Sequence, residues 1–377
     1  LIRVDYNVSL NEQGTISNDE RIKQTIPTLK LLLEKNNKLI LVAHLGRPKG
    51  RDPKLSLKIV ADDLHKFLPE HVITLVDDFQ NNAGKAQLSS QQSGEIMMLE
   101  NIRFYEGEKN NDPAFAKELA SLADVFVNDA FGVCHRNDAS VVGVAKLLPS
   151  YAGLLLEKEI NSISSLLHEA KKPFVAIIGG AKTSDKLPLL TKLTELTDFL
   201  ILGGGLANTF LAAQGYNMGH SLVEPSEENN IKEVYALAQK HNTQIVLPVD
   251  GVCAAHNDDQ MTHICQVKNL DKDDEILDIG PETQAIFGNI ISQANTVVWN
   301  GPVGYTENPH FARGTVFLFY AITQNDHCFS VVGGGDTIAA ISQKEHLEKI
   351  SHISTGGGAM LEFIEKGTLP GIEALKQ

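Results

Sequence analysis

The chain has 377 residues, 42% of them hydrophobic, a length and composition that suit about two globular domains. No apolar run approaches the ~18 residues of a membrane span and no secretory leader pattern is visible, so no membrane contact is expected and the cytoplasm is the expected location. A formal net charge of −14 argues against nucleic acid as a partner, because duplex binders present basic surfaces. Cys134, Cys253, Cys265 and Cys328 are scattered without CxxC spacing, and read as reduced thiols rather than a zinc cluster or a disulfide framework.

The chain opens on Leu1-Ile-Arg-Val, which reads as mid-strand, so a short leading segment is expected to be missing. Asp5 and Asn7 follow at the strand end, where short polar side chains can bond a hydroxyl. A helical stretch over 19–36 carries Arg21, and a strand over 38–43 runs into His44-Leu45-Gly46-Arg47. A second strand, 96–99, precedes Arg103; after a helix over 112–122 and a strand over 124–127 come His135 and Arg136. This is βα grammar. Arginine offers planar, permanently charged, bidentate recognition of phosphate or carboxylate, and histidine adds a short-range donor. A lone loop arginine is usually a solvated charge, but recurrence after successive strands points to a face for a small, multiply charged anion. No HxxxH spacing supports a metal centre in this half.

A helical stretch over 153–170 ends at Lys171-Lys172-Pro173 and marks the expected boundary between a first lobe, 1–152, and a second, 171–361. Four times in the second half an apolar strand runs into glycines that open an expected helix: Phe174 to Gly179-Gly180-Ala181-Lys182, Phe199 to Gly203-Gly204-Gly205, Phe329 to Gly333-Gly334-Gly335-Asp336-Thr337, and Ile353 to Gly356-Gly357-Gly358. Glycine lets backbone approach a ligand, and the unpaired N–H groups at a helix start favour an anion. One such cluster is usually a packing turn. Four at the carboxyl ends of parallel strands can converge on one phosphate-bearing ligand.

Lys182 and Lys186, four apart, would share one helical face. Asp336 could orient Mg²⁺, which takes few carboxylates plus substrate phosphates, or it could serve as a helix N-cap. Thr337 could donate to a phosphate, and Glu307, after Trp299-Asn-Gly-Pro302, could accept from a ribose. The stretch 254–277 reads as surface loops or a short β excursion. Neither the P-loop nor the GxGxxG fingerprint is met, since Ala176 and Asn208 stand where glycines are required.

In this order the motifs Arg3-Val-Asp-Tyr-Asn7, Arg21-Ile-Lys23, His44-Leu-Gly-Arg-Pro48, Leu99-Glu-Asn-Ile-Arg-Phe104, His135-Arg136, Gly179-Gly-Ala-Lys182, Asp185-Lys186, Trp299-Asn-Gly-Pro302, Gly333-Gly-Gly-Asp-Thr337 and Ser354-Thr-Gly-Gly-Gly-Ala359 closely resemble the phosphoglycerate kinase family along essentially the whole chain. The resemblance implies an α/β fold of two Rossmann-like lobes, each a parallel sheet flanked by helices, separated by a cleft, with 362–377 returning to the first lobe and 153–170 as hinge. It implies a triose site of Asp5, Tyr6, Asn7, Arg21, His44, Leu45, Gly46, Arg47, Arg103 and Arg136. Lys186, Gly203, Gly204, Glu307, Gly334, Gly335, Asp336 and Thr337 would hold ATP or ADP, with Asp336 on Mg²⁺. Arg21, Lys182, Gly357 and Gly358 would meet the phosphoryl group as it passes between ATP and the carboxylate of 3-phosphoglycerate, giving ADP and 1,3-bisphosphoglycerate by in-line transfer after closure of a monomer. Tyr6 stands where the family usually has Phe, and Tyr305-Thr306 replaces a more apolar pair before Glu307. Two rivals remain at the level of sequence: an NAD-dependent dehydrogenase, and a nucleotide-sensing scaffold without turnover.

Overall fold

The computed structural model describes residues 1–11, 13–255 and 258–376. The chain divides into two compact units, Leu1–Asn161 with Thr368–Gln377, and Ser162–Gly367.

The first unit is built on six parallel strands: β1 (Ile2–Val4), β2 (Leu39–Val42), β3 (Ile73–Val76), β4 (Ile96–Leu99), β5 (Phe126–Asp129) and β6 (Ser150–Ala152), ordered β3-β4-β2-β1-β5-β6. β2, β4 and β5 are buried throughout, as a sheet covered on both faces requires. Alternation assigns the two faces. Ile40, Val42, Met97 and Leu99 pack into one core with Phe79, Phe115 and Leu119. Leu39, Leu41, Ile96 and Met98 pack into another with Ile22, Leu29 and Leu64. The helix Glu20–Leu33 covers this second face; the helix Pro113–Ala120, capped by Asp112 accepting from Phe115 N–H at 2.8 Å, covers the first.

The second unit repeats the plan with β7 (Phe174–Ile178), β8 (Phe199–Leu202), β9 (Gln244–Val246), β13 (Thr296–Asn300), β14 (Phe329–Gly333) and β15 (His352–Ile353), ordered β9-β8-β7-β13-β14-β15 and parallel throughout. Between β9 and β13 the chain forms an antiparallel sheet of β10 (Asp250–Ala255), β11 (Asp258–Gln266) and β12 (Asp274–Ile279), with β10 central. This is the β option of the two expected over 254–277; residues 256 and 257 of that stretch lie outside the described residues.

One cysteine expectation is corrected here. Cys253 and Cys265 are joined in a disulfide, and Cys134 and Cys328 are free thiols. The two joined residues are 12 apart in sequence, and the antiparallel register of β10 on β11, which sets Gly251 opposite Cys265, brings them together. No CxxC-type spacing encodes such a pairing.

The division between units falls inside the helix Leu154–His168. Asp129, at the end of β5, accepts from the N–H groups of Leu155 at 2.9 Å and Leu156 at 3.2 Å, filling the role of an N-terminal cap. The helix Gly357–Lys366 belongs to the second unit, and the chain rejoins the first from Thr368, where Gly371 N–H donates to Cys134 O at 2.8 Å. No helix among the described residues is long and apolar enough to cross a membrane.

Candidate active site

In the first unit, residues far apart in sequence follow neighbouring strands. Arg103 follows β4, His44 to Arg47 follow β2, Asp5 to Asn7 follow β1, and Arg136 follows β5; these are four adjacent strands of the sheet. The chain runs outward from β1 through β2 to the edge strand β3, returns to β4 between β2 and β3, then crosses to β5 on the other side of β1. The loops of β1 and β5 therefore flank the point where strand order reverses, the usual ligand crevice of such sheets.

The loops hold one another. Asn7 Oδ1 accepts from Gly46 N–H at 2.8 Å, Gly46 O accepts from Arg103 Nη1 at 2.6 Å, and Leu45 O accepts from Asn101 Nδ2 at 2.7 Å. Arg21 reaches back from its helix to Asp5, Nη1 to Oδ2 at 2.5 Å. Tyr6 is fully buried with its hydroxyl on Thr25 Oγ1 at 2.7 Å, so its ring sits in the core and supports the loop. Arg47 is exposed.

Donors accumulate there without acceptors. His44 Nε2, Arg103 Nε and Nη2, and Arg136 Nε are buried and have no hydrogen-bond partner. Burial, then the charges of Arg3, Arg103, Arg136 and Arg21, hold His44 well below its ordinary pKa of 6.5. Arg103 is itself pushed down to about 10, by burial first and then by Arg136. A buried donor left unbonded costs about 1–3 kcal/mol. An anion is the kind of ligand that could satisfy such a cluster.

In the second unit the glycine junctions follow β8, β7, β14 and β15, and a further turn at Gly301 follows β13 between them. Their backbones interlock. A Cβ at Gly179 would lie 2.0 Å from Pro302 O, one at Gly203 2.4 Å from Val303 Cγ1, and one at Gly357 2.7 Å from both Gly334 Cα and N. By contrast a Cβ at Gly335 or Gly358 would meet nothing within 4 Å. Gly334 has φ +103°, a conformation that β-carbon-bearing residues rarely adopt.

Three junctions run from strand through glycine into a helix: Gly204–Ala213, Gly335–Ile341 and Gly357–Lys366. The first does not. Its helix begins only at Leu187, with Lys186 as N-cap and Lys182 in the preceding loop, so the shared helical face expected for the two lysines is corrected. Glu224 captures the loop by accepting from Thr183 N–H at 2.5 Å and Ser184 N–H at 3.0 Å, and Pro188 then suits the first helical turn. Lys182 is exposed.

Lys186 is partly buried and donates to Asn300 Oδ1 at 3.2 Å. Burial pulls its ammonium below the usual value, while Asp185 and Asp336 pull the other way. Asp336 is not the N-cap of its helix. Gly334 holds that place, which leaves the Asp336 carboxylate exposed on the wall of a cavity of about 480 Å³. Gly180, Gly204, Leu222, Ile276 and Glu307 share that wall. Thr337 is buried, its Oγ1 accepting from Gly301 N–H at 2.9 Å. Groups of three or more potential metal-ligating side chains are absent among the described residues. A single exposed carboxylate suits Mg²⁺ only where the ion brings most of its other ligands with it.

Sequence reasoning gave no role to Asn300 or Asp278. Asn300 accepts from Lys186, and its Nδ2 is buried without a partner; its place inside the Trp299-Asn-Gly-Pro302 motif was the available signal. Asp278, at the end of β12 on the cavity wall, accepts from Ile279 N–H at 2.8 Å and Gly314 N–H at 2.7 Å. Burial pushes its carboxyl up to about 7 against those bonds.

An arginine-lined sheet edge in one α/β unit and a glycine-lined edge in another define the class, a two-unit phosphotransferase. The comparisons narrow it. Residues 1–367 match the family model described as phosphoglycerate kinase. The phosphoglycerate kinase of Dictyoglomus turgidum is 45% identical over 377 residues, covering 100% of this chain and 95% of its own, and that of Thermus thermophilus is 42% identical over 377 residues, covering 100% and 96%. Solved phosphoglycerate kinases from Coxiella burnetii and Pyrococcus horikoshii each superpose with a TM-score of 0.87, at 38% and 31% identity, covering 100% of this chain and 95% of theirs. The chain belongs to the phosphoglycerate kinase family.

Proposed function

We propose that the chain transfers a phosphoryl group reversibly between ATP and the carboxylate of 3-phosphoglycerate, with the triose on the first unit and the nucleotide on the second. The observation that carries the triose assignment is the set of buried, unpartnered donors on His44, Arg103 and Arg136. A ligand bearing both a phosphate and a carboxylate supplies the acceptors they lack. On this reading Asp5 and Asn7 meet the triose hydroxyl, Gly46 fixes the loop, and Arg47 closes on the ligand from solvent.

The acceptor carboxylate is ionised at neutral pH, so no general base is required. Catalysis then rests on position and charge. As the phosphoryl group moves in line, negative charge spreads over its equatorial oxygens. Lys182, Arg21 and the Gly357 and Gly358 N–H groups are suited to meet it, since fixed donors act most strongly where charge develops. Arg21 would leave Asp5 to do so. Lys186, Asn300 and the Gly334 to Thr337 turn would hold the nucleotide phosphates, with Glu307 on the ribose and Gly203 and Gly204 on the adenosine wall. Bound Mg²⁺, held by Asp336, would neutralise phosphate charge. Direct transfer requires the two ligands to be brought together with water excluded, which protects the acyl phosphate.

The dehydrogenase and scaffold alternatives lose their support with family membership. A monomer in the cytoplasm is the arrangement that suits this role; the Cys253–Cys265 disulfide is the feature at odds with a reducing compartment. The test is an assay with ATP, Mg²⁺ and 3-phosphoglycerate, trapping 1,3-bisphosphoglycerate by coupled reduction. Turnover that EDTA abolishes is expected, and absence of product above background overturns the proposal.

A further inference from the structure

Arg3 is buried to 1% exposure and has no part in the roles assigned above. Its guanidinium is fixed on every side. Nε donates to Ser140 Oγ at 2.9 Å, Nη1 donates to the carbonyl oxygen of Val4 and at 3.4 Å to that of Val42, and Nη2 lies 3.1 Å from His44 Nδ1. Ser140 is anchored in turn: its hydroxyl and N–H donate to the two carboxylate oxygens of buried Glu108, at 2.6 and 2.9 Å. The carboxylate of Glu108 is thus connected through Ser140 and Arg3 to the ring of His44.

A guanidinium carries only donors, so the nitrogen that faces it must accept. His44 Nδ1 therefore carries the lone pair, and the single ring proton resides on Nε2. We infer that Arg3 is a positioning residue that fixes His44 as the neutral Nε2–H tautomer, so that this ring presents one directed donor at the triose site. Nε2 is the His44 nitrogen left buried and unpartnered, as a donor awaiting a substrate oxygen would be. The other tautomer would set N–H against N–H across the Arg3 contact, and the imidazolium would do the same with an added charge.

The charged groups acting on the ring come from several elements: Arg3 on β1, Arg103 after β4, Arg136 after β5 and Arg21 on its helix. All are cationic, and Asp5 is already paired with Arg21. Together with burial they oppose protonation of His44, whose donor then stays constant across neutral pH. The consequence is a division of labour. The arginines supply charge and His44 supplies direction, held by a residue that itself need not touch the substrate.

The inference rests on the triose assignment of His44, but its first readout does not. The protein is labelled with ¹⁵N-histidine, the His44 resonances are assigned by their loss in His44→Gln, and ring nitrogen shifts are followed from pH 8 to 5.5. The expected spectrum has an unprotonated Nδ1 and a protonated Nε2 at every pH. In Arg3→Met the His44 ring should populate both tautomers while still resisting protonation, because burial and the other three arginines continue to act on it. The KM for 3-phosphoglycerate should then rise about 10-fold, as expected for one misdirected hydrogen bond, with kcat changed less. Arg3→Lys, which keeps a donor-only cation, should restore part of the tautomer bias. A proton on Nδ1 in the wild-type protein overturns the inference, as does an Arg3→Met variant whose His44 ring nitrogen shifts are unchanged. Should Arg3→Met not fold, the wild-type spectrum still decides the tautomer, and Ser140→Ala, which frees Arg3 Nε, should weaken the bias. An Nε2–H ring that 3-phosphoglycerate does not shift would overturn the triose assignment of His44 rather than the tautomer.

Discussion

At the scale of single residues, Lys182 and Arg136 separate the two kinds of work a phosphotransferase needs. Lys182 is exposed on a loop that Glu224 holds by its backbone, so its removal leaves the fold intact. Lys182→Ala should lower kcat roughly 10²-fold or more with nucleotide KM little changed, the pattern of a contact made chiefly in the transition state; steady-state kinetics in both substrates checks it. Arg136 belongs to the buried donor cluster, and Arg136→Ala should raise the KM for 3-phosphoglycerate far more than that for ATP. Equal effects would contradict the separate placement of the two ligands. Arg47, Arg103 and Arg136 were legible in the sequence because each follows a strand. The partners that arginines take were not: the Arg21–Asp5 pair at 2.5 Å joins a helix to the end of β1, and the Arg3–His44 contact at 3.1 Å follows from the pairing of β1 with β2, and no local pattern states either.

At the scale of elements, the glycine junctions combine two requirements that the sequence presents as one. Some glycines are there because backbone packs on backbone, as Gly357 does on Gly334 and Gly179 on Pro302. Others, Gly335 and Gly358, face open space. Gly357→Ala should therefore lower thermal stability, by about 1–3 kcal/mol as for other overpacked sites. Gly358→Ala should leave it unchanged or raise it by up to about 1 kcal/mol, because alanine is the better helix former. Calorimetry on the two variants distinguishes them, and a stable Gly358→Ala with impaired kcat would locate the moving phosphoryl group against that turn. Strand runs such as Phe174–Ile178 were legible because they are continuously apolar. The start of the helix at Leu187 was not, since it depends on a carboxylate 41 positions away from Thr183. The disulfide escaped for a similar reason, as antiparallel register rather than spacing joins Cys253 to Cys265.

At the scale of the molecule, buried carboxyls set how stability varies with pH. Asp278 has its pKa raised by burial to about 7 from an ordinary 3.8. Between those values the folded protein holds a proton that the unfolded chain has released, so this group's contribution to stability falls as pH rises from about 4 to 7 and is level above 7. The stability of wild type minus that of Asp278→Asn, from denaturant melts across this range, should follow that course; a flat difference would mean that Asp278 is ionised throughout. The two-unit plan was legible in the alternation of strands and helices, whereas the place at which the chain rejoins the first unit, Thr368, carries no local mark. That return has a consequence for how the protein is made. Ala374 and Leu375 pack into the first core beside Val141 and Ala145, and Gly371 lies against Cys134 and Val141. Translation delivers these residues only after the whole of Ser162–Gly367 has been synthesised. A nascent chain that has emerged through residue 161 should thus hold an unfinished first unit, and a peptide spanning 368–376 added to an isolated 1–161 fragment should slow its proteolysis. On the ribosome, the half of the chain begun first is the half completed last.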